Sequence, residues 1–347
     1  MDISRLDSVF APGKAGMPAL RQSGIARLWG KNIKLTRIPS TTAVLLVLCS
    51  LMISGGLLMA ADQKKAPISS ARVKELQATI EKLKPLHKKL GPPGTNDWLA
   101  RFPEPGQTFL EYVQSDPTMP RGNRHVIYVQ PLGDFTSTQR KIITLTADFM
   151  GRYFNLPVKI KDDLPLSLIP PNARRKHPTW GMDQVLTTYV LDDLLIPRLP
   201  GDAAACIAFT TSDLWPGKGW NFVFGQASTS DRVGVWSIYR NGDPEESPET
   251  FRLCLLRTMK TATHETGHMF SIAHCIAYQC DMCGSNSREE ADRRPIACCP
   301  ECVAKICYAT GADPGQRYKK LAQFCREQGL SSEAEFYEKS IKTLEGR

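Results

Sequence analysis

The sequence predicts an α/β fold in which a mixed sheet packs with helices and a small cysteine-rich subdomain follows. The first observation is a strand–helix–strand pattern, with extended apolar segments at residues 125–131 and 157–161 around a helical period over 138–154. The second is the almost wholly apolar run 202–210, which is typical of a buried strand. The third is the concentration of cysteines within residues 275–302. Strands alternating with helices favour a sheet covered by helices.

The part of the chain before residue 121 does not have the character of a globular domain. Residues 1–42 are basic, with seven Lys or Arg against two Asp before residue 41, which is a net +5 of the chain's +9. Because the rest of the chain is nearly balanced, we expect no nucleic-acid binding. Residues 62–120 are predicted to be a helical, Pro-rich lead-in, with an amphipathic helix over 66–90.

Residues 43–61 are a hydrophobic segment of nineteen residues without a charge. This length is close to what spans a bilayer, and basic residues precede the segment while Ala60 and Ala61 end it. The pattern predicts either a signal peptide cleaved near Asp62 or an uncleaved membrane anchor. In both cases the positive side stays inside, so we expect an exported, extracytoplasmic protein, with membrane association if the segment is retained.

The main domain is predicted over residues 121–347. After the strand–helix–strand unit, the pattern indicates a helix over 181–196 and further strands at 221–227 and 232–239. The C-terminal part is helical again, and Ser332 and Glu335 have the spacing of a capping box that opens the last helix.

A histidine motif follows the helical period of residues 251–263. His264 and His268 are one turn apart and share a face, and His274 follows six residues later. Three imidazoles that leave one position open are the ligand set of a hydrolytic zinc site. Glu265 would take the proton from the zinc-activated water as it attacks a carbonyl and deliver it to the leaving amine. This chemistry is peptide-bond hydrolysis.

A single HExxH pattern also occurs on ordinary surface helices. Here three of the chain's six histidines fall in the motif at ligand spacing, which favours a metal site. The other three histidines are far from the motif in sequence, and we expect them at the surface: His87, His125 and His177.

A second set of metal ligands is formed by cysteines. Cys280-x2-Cys283 and Cys299-x2-Cys302 are fifteen residues apart, which fits a zinc-ribbon spacing. Disulfide pairing is the alternative in an oxidising compartment. Thiols crowded beside a three-histidine motif favour zinc bound by four thiolates. The scattered cysteines are expected in the core: Cys206, Cys254, Cys307 and Cys325.

The combined pattern His264-Glu-x-x-His268-x-x-Ser-x-x-His274-Cys275-x4-Cys280-x-Met282 resembles the metzincin zinc peptidases, and its continuation resembles the archaemetzincin family. Gly106-Gln-Thr-Phe109 and Tyr128-Val-Gln-Pro-Leu-Gly133 are also similar to family sequence, and the resemblance covers residues 106–330. It implies a metzincin-like α/β fold, a mixed sheet with helices plus a small C-terminal subdomain around a four-cysteine zinc site. The active-site helix and the zinc subdomain would lie within residues 250–347.

The resemblance also implies two zinc ions per chain, one catalytic and one structural. The three histidines would hold the catalytic ion, and Met282 would form a turn beneath them. The structural ion would be held by four thiolates: Cys275, Cys280, Cys299 and Cys302. The assignment leaves two alternatives, because Cys283 could replace Cys275 and Cys298 could replace Cys299. The implied substrates are peptides or proteins, with aminopeptidase character, and an extended substrate would pair with a strand at the cleft edge.

Ser271 departs from the family pattern, which has Gly at this position. The backbone must turn sharply after the helix, and a Ser at positive φ costs about 1 kcal/mol. The departure keeps open a second function, a catalytically decayed zinc-binding interaction module. A third is an exported, disulfide-stabilised scaffold without metal. The sequence does not predict an oligomeric state.

Overall fold

Eight strands and ten α-helices make up residues 70–347, the part of the chain that the computed structural model describes. The strands are β1 (Val126–Leu132), β2 (Val158–Ile160), β3 (Arg174–Lys176), β4 (Asp183–Leu186), β5 (Ala203–Thr210), β6 (Asp213–Trp215), β7 (Gly225–Ala227) and β8 (Val233–Ser237). The helices are α1 (Ser70–Leu83), α2 (Trp98–Arg101), α3 (Phe109–Gln114), α4 (Ser137–Phe154), α5 (Thr187–Tyr189), α6 (Pro248–Met269), α7 (Arg288–Asp292), α8 (Pro300–Thr310), α9 (Pro314–Glu327) and α10 (Ser331–Leu344). The predicted α/β class is confirmed.

The main sheet has the strand order β2-β1-β5-β8-β7. Four strands run parallel, and β7 pairs antiparallel with β8 at one edge. Every residue of β5 is buried, because this apolar strand lies between β1 and β8 in the middle of the sheet. The mixed sheet therefore leaves β7 as an edge strand with one side open for pairing.

A smaller sheet of order β3-β4-β6 was not predicted and replaces part of an expected helix. A helix was predicted over residues 181–196, whereas β4 occupies its start and helical turns extend only from Thr187 to Arg198. Val185 pairs with Leu214 of β6, and both side chains are buried. The strand expected at 221–227 is likewise shorter, because only its end forms β7.

The starts of α6 and α10 differ in whether a side chain caps the helix. α6 begins after Ser247, whose hydroxyl accepts a hydrogen bond from the Thr250 N–H in a capping box. The capping box predicted at Ser332 is wrong, since α10 begins at Ser331 and has Leu330 at its N-cap without a side-chain hydrogen bond. An apolar side chain cannot cap, so packing of α10 against α9 fixes this helix instead.

His177 corrects another expectation, because it is only 3% exposed rather than at the surface. Its ring stacks on Trp180 with the ring centroids 4.1 Å apart. His87 is half-buried, and His125 is exposed as expected.

The lead-in packs against the rest of the chain. α1 packs against α8, and its buried residues include Leu76 and Leu83. The predicted start of this helix at residue 66 lies outside the described residues. α3 also packs on α8. The described residues 70–347 belong to one compact unit, so the described part of the lead-in is close enough to contribute to a site in the domain.

The predicted location needs correction. Within residues 70–347, no helix has both the length and the apolar character needed to cross a membrane. This finding contradicts the prediction of an exported, extracytoplasmic protein; the segment 43–61 on which it depended lies outside the described residues, as does the basic region 1–42. The ten cysteines of residues 70–347 form no disulfide, unlike those of the expected disulfide-stabilised scaffold.

Candidate active site

The last turns of α6 carry His264, Glu265 and His268. The helix is 22 residues long and ends at Met269. The candidate ligand atoms of His264, His268 and His274 all lie within 4.8 Å of one another. The Nε2 atoms of His264 and His268 are 3.0 Å apart. The structure therefore brings the three predicted histidines to one point.

The other ring nitrogen of each histidine has its own acceptor. Nδ1 of His264 lies 2.8 Å from the Asp281 carbonyl oxygen, and Nδ1 of His268 lies 2.7 Å from the Ile272 carbonyl oxygen. Nδ1 of His274 lies 2.9 Å from both Glu104 carboxylate oxygens. A carbonyl oxygen can only accept, so Nδ1 carries the proton and Nε2 keeps its lone pair for a metal.

The protonation of the histidines agrees with this arrangement. Burial, together with the nearby His274, lowers the pKa of His264 to about 4. Burial and the neighbouring histidines also lower the pKa of His268. Neutral imidazoles at neutral pH are the form that binds zinc, so the donor set fits this ion.

The chain turns back at Ser271, whose φ of 62° is the positive value expected from the sequence. The Ser271 N–H donates to the His268 carbonyl oxygen at 2.8 Å. Its hydroxyl accepts from the Thr118 N–H at 3.0 Å and donates to the Thr229 carbonyl oxygen at 3.3 Å. Two hydrogen bonds that glycine could not make thus compensate for the strain, and His274 still reaches the other histidines.

Glu265 is buried beneath the edge strand. It is 7% exposed, and a Cβ placed on Gly225 of β7 would lie 2.8 Å from the Glu265 Cγ and Oε1. Only glycine leaves room for the carboxyl group at this point of the strand. Burial raises the pKa of Glu265 to about 8, whereas a cation held by the neighbouring histidines would act in the opposite direction.

Met282 is fully buried against the end of α6. A Cβ on Gly267 would lie 2.6 Å from the Met282 Sδ, so the helix and the methionine are in direct contact. The Met282 carbonyl oxygen accepts from the Cys275 N–H at 2.7 Å. The predicted methionine therefore lies next to the histidine motif, on a segment that also carries cysteines.

Four buried thiols form the second group. The Sγ atoms lie within 4.8 Å of one another in a set made of Cys275, Cys280, Cys299 and Cys302. The Sγ atoms of Cys275 and Cys299 are 3.6 Å apart. Four thiolates around zinc at about 2.3 Å would be separated by about 3.8 Å, so the group fits a tetrahedral zinc site.

The two alternative cysteines lie beside this group and have other partners. The Cys283 thiol donates to the Tyr278 carbonyl oxygen at 3.2 Å, and Cys298 lies 2.8 Å from the Tyr153 hydroxyl. The geometry thus supports the four cysteines of the original assignment.

Sequence reasoning missed the contribution of the lead-in. Glu104 contacts His274, and the Trp98 indole N–H donates to Glu104 Oε1 at 3.0 Å. Gln107 bonds to the loop that carries His274. The available signal was the similarity of residues 106–109 to family sequence, which marked the segment without indicating what it contacts.

The chain is similar to known proteins over most of its length. The model of peptidase family M54 matches residues 201–307. Archaemetzincin-2 of Homo sapiens is 32% identical over 300 residues, which cover 75% of this chain and 82% of that protein. The archaemetzincin of Archaeoglobus fulgidus is 31% identical over 182 residues, covering 52% of this chain and 99% of that protein.

A solved structure is also similar. The crystal structure of an archaemetzincin from Methanopyrus kandleri matches with a TM-score of 0.44 and 28% identity, covering 56% of this chain and 99% of that one. The sequence relatives, together with the grouped histidines and cysteines, decide the assignment. The chain belongs to the archaemetzincins, peptidase family M54, and is a zinc metallopeptidase.

Proposed function

We propose that the chain hydrolyses peptide bonds at a zinc ion held by His264, His268 and His274, with Glu265 as the general base. The observation that carries the proposal is the convergence of three histidines, two of them with Nε2 atoms 3.0 Å apart, beside a buried glutamate on the same helix. When bound, zinc supplies a Lewis acid that activates water and polarises the scissile carbonyl.

The protein's own groups orient the reactants and move the protons. Acceptors on Nδ1 hold the three rings in one orientation before substrate arrives. Glu265 accepts a proton as the attacking oxygen forms its bond to the carbonyl carbon and returns it to the leaving amine. Its buried position on the same helix as two of the histidines keeps the carboxyl group beside the metal site for both halves of this transfer.

The edge strand β7 offers a binding mode for the substrate. An extended peptide would pair with its open side as an added strand. Gly225 of β7 lies against Glu265, so a peptide on this strand would pass close to the general base. An aminopeptidase preference is expected from the family resemblance, and it predicts faster cleavage of peptides with a free N-terminus than of their N-acetylated forms.

We further propose a second, structural zinc held by Cys275, Cys280, Cys299 and Cys302, which gives two ions per chain. The grouping of the four thiols and their burial support this count. The peptidase domain would comprise residues 121–347, with residues 62–120 as a lead-in that contacts it.

The deciding experiment replaces the base without altering the ligands. In Glu265→Gln we expect zinc-dependent cleavage of a mixed peptide library to fall by at least about 10²-fold with both ions retained. Glu335→Gln, a change of the same type at an exposed position of α10, is the control and should keep full activity. Unchanged turnover in Glu265→Gln would remove Glu265 from the mechanism. Absence of cleavage by wild type with both sites filled would instead favour the interaction module.

A further inference from the structure

The third histidine is positioned differently from the other two. His264 and His268 belong to a regular helix, whereas His274 lies on a loop beyond the strained residue Ser271. We call residues 271–276 the ligand loop. A metal ligand on such a loop needs contacts from outside it, because the loop's own backbone does not fix the ring.

Glu104 provides the first of these contacts. Its two carboxylate oxygens lie 2.9 Å from the His274 Nδ1, across 170 positions of sequence. The side chains of Glu104 and His274 are 21% and 18% exposed, so solvent competes only partly for the hydrogen bond. A carboxylate that accepts from Nδ1–H fixes the ring orientation and makes Nε2 a better donor to a metal.

Gln107 provides the second contact, to the backbone of the ligand loop. Its Nε2 donates to the Ser271 carbonyl oxygen at 3.3 Å, and its Oε1 accepts from the Ala273 N–H at 3.1 Å. One amide thus binds both a carbonyl and an N–H of the loop. The buried Lys305 donates to the Gln107 carbonyl oxygen, which ties this residue to α8.

Gly106 lets the two chain segments approach closely. It has a φ of 72°, and a Cβ at this position would lie 2.5 Å from the Ile276 Cγ1. Both properties favour glycine here, because a side chain would be strained and would also push the ligand loop away. Residues 104, 106 and 107 thus all contact the ligand loop.

Trp98 fixes the position of the Glu104 side chain. Its indole N–H donates to Glu104 Oε1 at 3.0 Å, and its ring meets the His274 ring edge-on with the centroids 5.3 Å apart. Its backbone N–H donates to the buried Glu290 at 2.9 Å. The Glu104 carboxylate is therefore held by Trp98 as well as by His274, which restricts its rotation.

We propose that residues 104–107 form a clamp on the ligand loop and that Glu104 is a positioning residue for the third metal ligand. The proposal rests on the proposed function, since it requires a metal at the three histidines. It adds that the lead-in is part of the catalytic unit. Losing the clamp should weaken metal binding at the histidines and leave the four-cysteine group unchanged.

The test measures zinc affinity at each site separately. Full-length protein is first stripped of zinc, and the cysteine group is refilled with zinc. Zinc is then titrated into the histidine site against a competing chelator. Glu104→Gln keeps the shape of the side chain and removes its charge, and we expect the dissociation constant at the histidine site to rise by about 10- to 100-fold. Asp97→Asn is the matched control, because within residues 70–347 the Asp97 carboxylate accepts hydrogen bonds from Gly94 and Arg293 and none from a histidine.

Activity provides a second readout. Cleavage by Glu104→Gln should recover in excess zinc, whereas cleavage by Glu265→Gln should not. Equal affinity in Glu104→Gln and wild type would overturn the clamp and leave the proposed function standing. Failure of wild type to bind zinc at the histidines would overturn the proposed function itself. If Glu104→Gln fails to fold, Gln107→Ala decides by the same affinity criterion.

Discussion

Gly225→Ala separates the position of Glu265 from its chemistry. The added Cβ would lie 2.8 Å from the Glu265 Cγ and Oε1 and 3.0 Å from its Cδ, whereas carbon atoms in contact are about 3.5–4.0 Å apart. The glutamate must therefore move by roughly 1 Å, and a misplacement of this size costs about 10²-fold in rate. The Gly225 backbone does not have the positive φ that would make any side chain strained, so the effect comes from the contact itself.

The assay compares kcat and KM for a fluorogenic peptide, together with bound zinc. We expect kcat of Gly225→Ala to fall by about 10²-fold, equivalent to about 2.7 kcal/mol in the barrier, with the histidine ligands and metal content unchanged. Gly201→Ala is the control, since a Cβ there would meet nothing within 4 Å. If both variants turn over substrate like wild type, β7 does not constrain Glu265 and the reasoning is refuted.

Three further outcomes are expected. Burial lowers the pKa of His87 from 6.5 to about 4. Because the unfolded chain takes up a proton here that native His87 does not, His87 should contribute a loss of about 2 kcal/mol to the unfolding free energy between neutral pH and about pH 5. Urea denaturation should show a smaller loss in His87→Gln but not in His125→Gln, and equal losses would contradict this. Ser271→Ala keeps the positive φ and removes two hydrogen bonds, so its unfolding free energy should be about 2 kcal/mol lower than that of wild type. Ser271→Gly also loses the hydrogen bonds but relieves the strain, so its unfolding free energy should be about 1 kcal/mol higher than that of Ser271→Ala. Equal stability of the two variants would show that residue 271 is unstrained. Chelation should expose four more titratable thiols, while the other six of the ten described cysteines stay buried until the chain unfolds. Titration of all ten thiols at once would argue against a separate four-thiol site.

Long periodic segments and closely spaced ligands were predictable from the sequence. The predicted strand at 202–210 and the predicted helix at 138–154 match β5 and α4 within one residue at each end. Their apolar patterns are long enough that tertiary contacts do not override them. The positive φ at Ser271 was predictable for another reason, since a ligand six residues after His268 requires the chain to reverse.

Short strands and distant contacts were not predictable. β4 has four residues and β6 has three, and they are strands only because they pair with neighbouring strands of the smaller sheet. The burial of His177 depends on its stacking with Trp180 in a loop that no period marks. Glu104 could not be assigned to the site, because one carboxylate in a Pro-rich segment carries no spacing signal toward a histidine 170 positions away.

The cysteine group and the histidine group are joined through the backbone, so the cysteine group affects the catalytic site. Cys275 follows His274 directly, and whatever fixes its Sγ also fixes the end of the ligand loop. Cys280 precedes Asp281, whose carbonyl oxygen accepts the hydrogen bond that orients His264. Cys275 is thus adjacent to one of the three histidines, and Cys280 is adjacent to the residue that orients another. A zinc ion that holds these thiols together would stabilise the catalytic geometry at the ends of a loop that α6 alone cannot order.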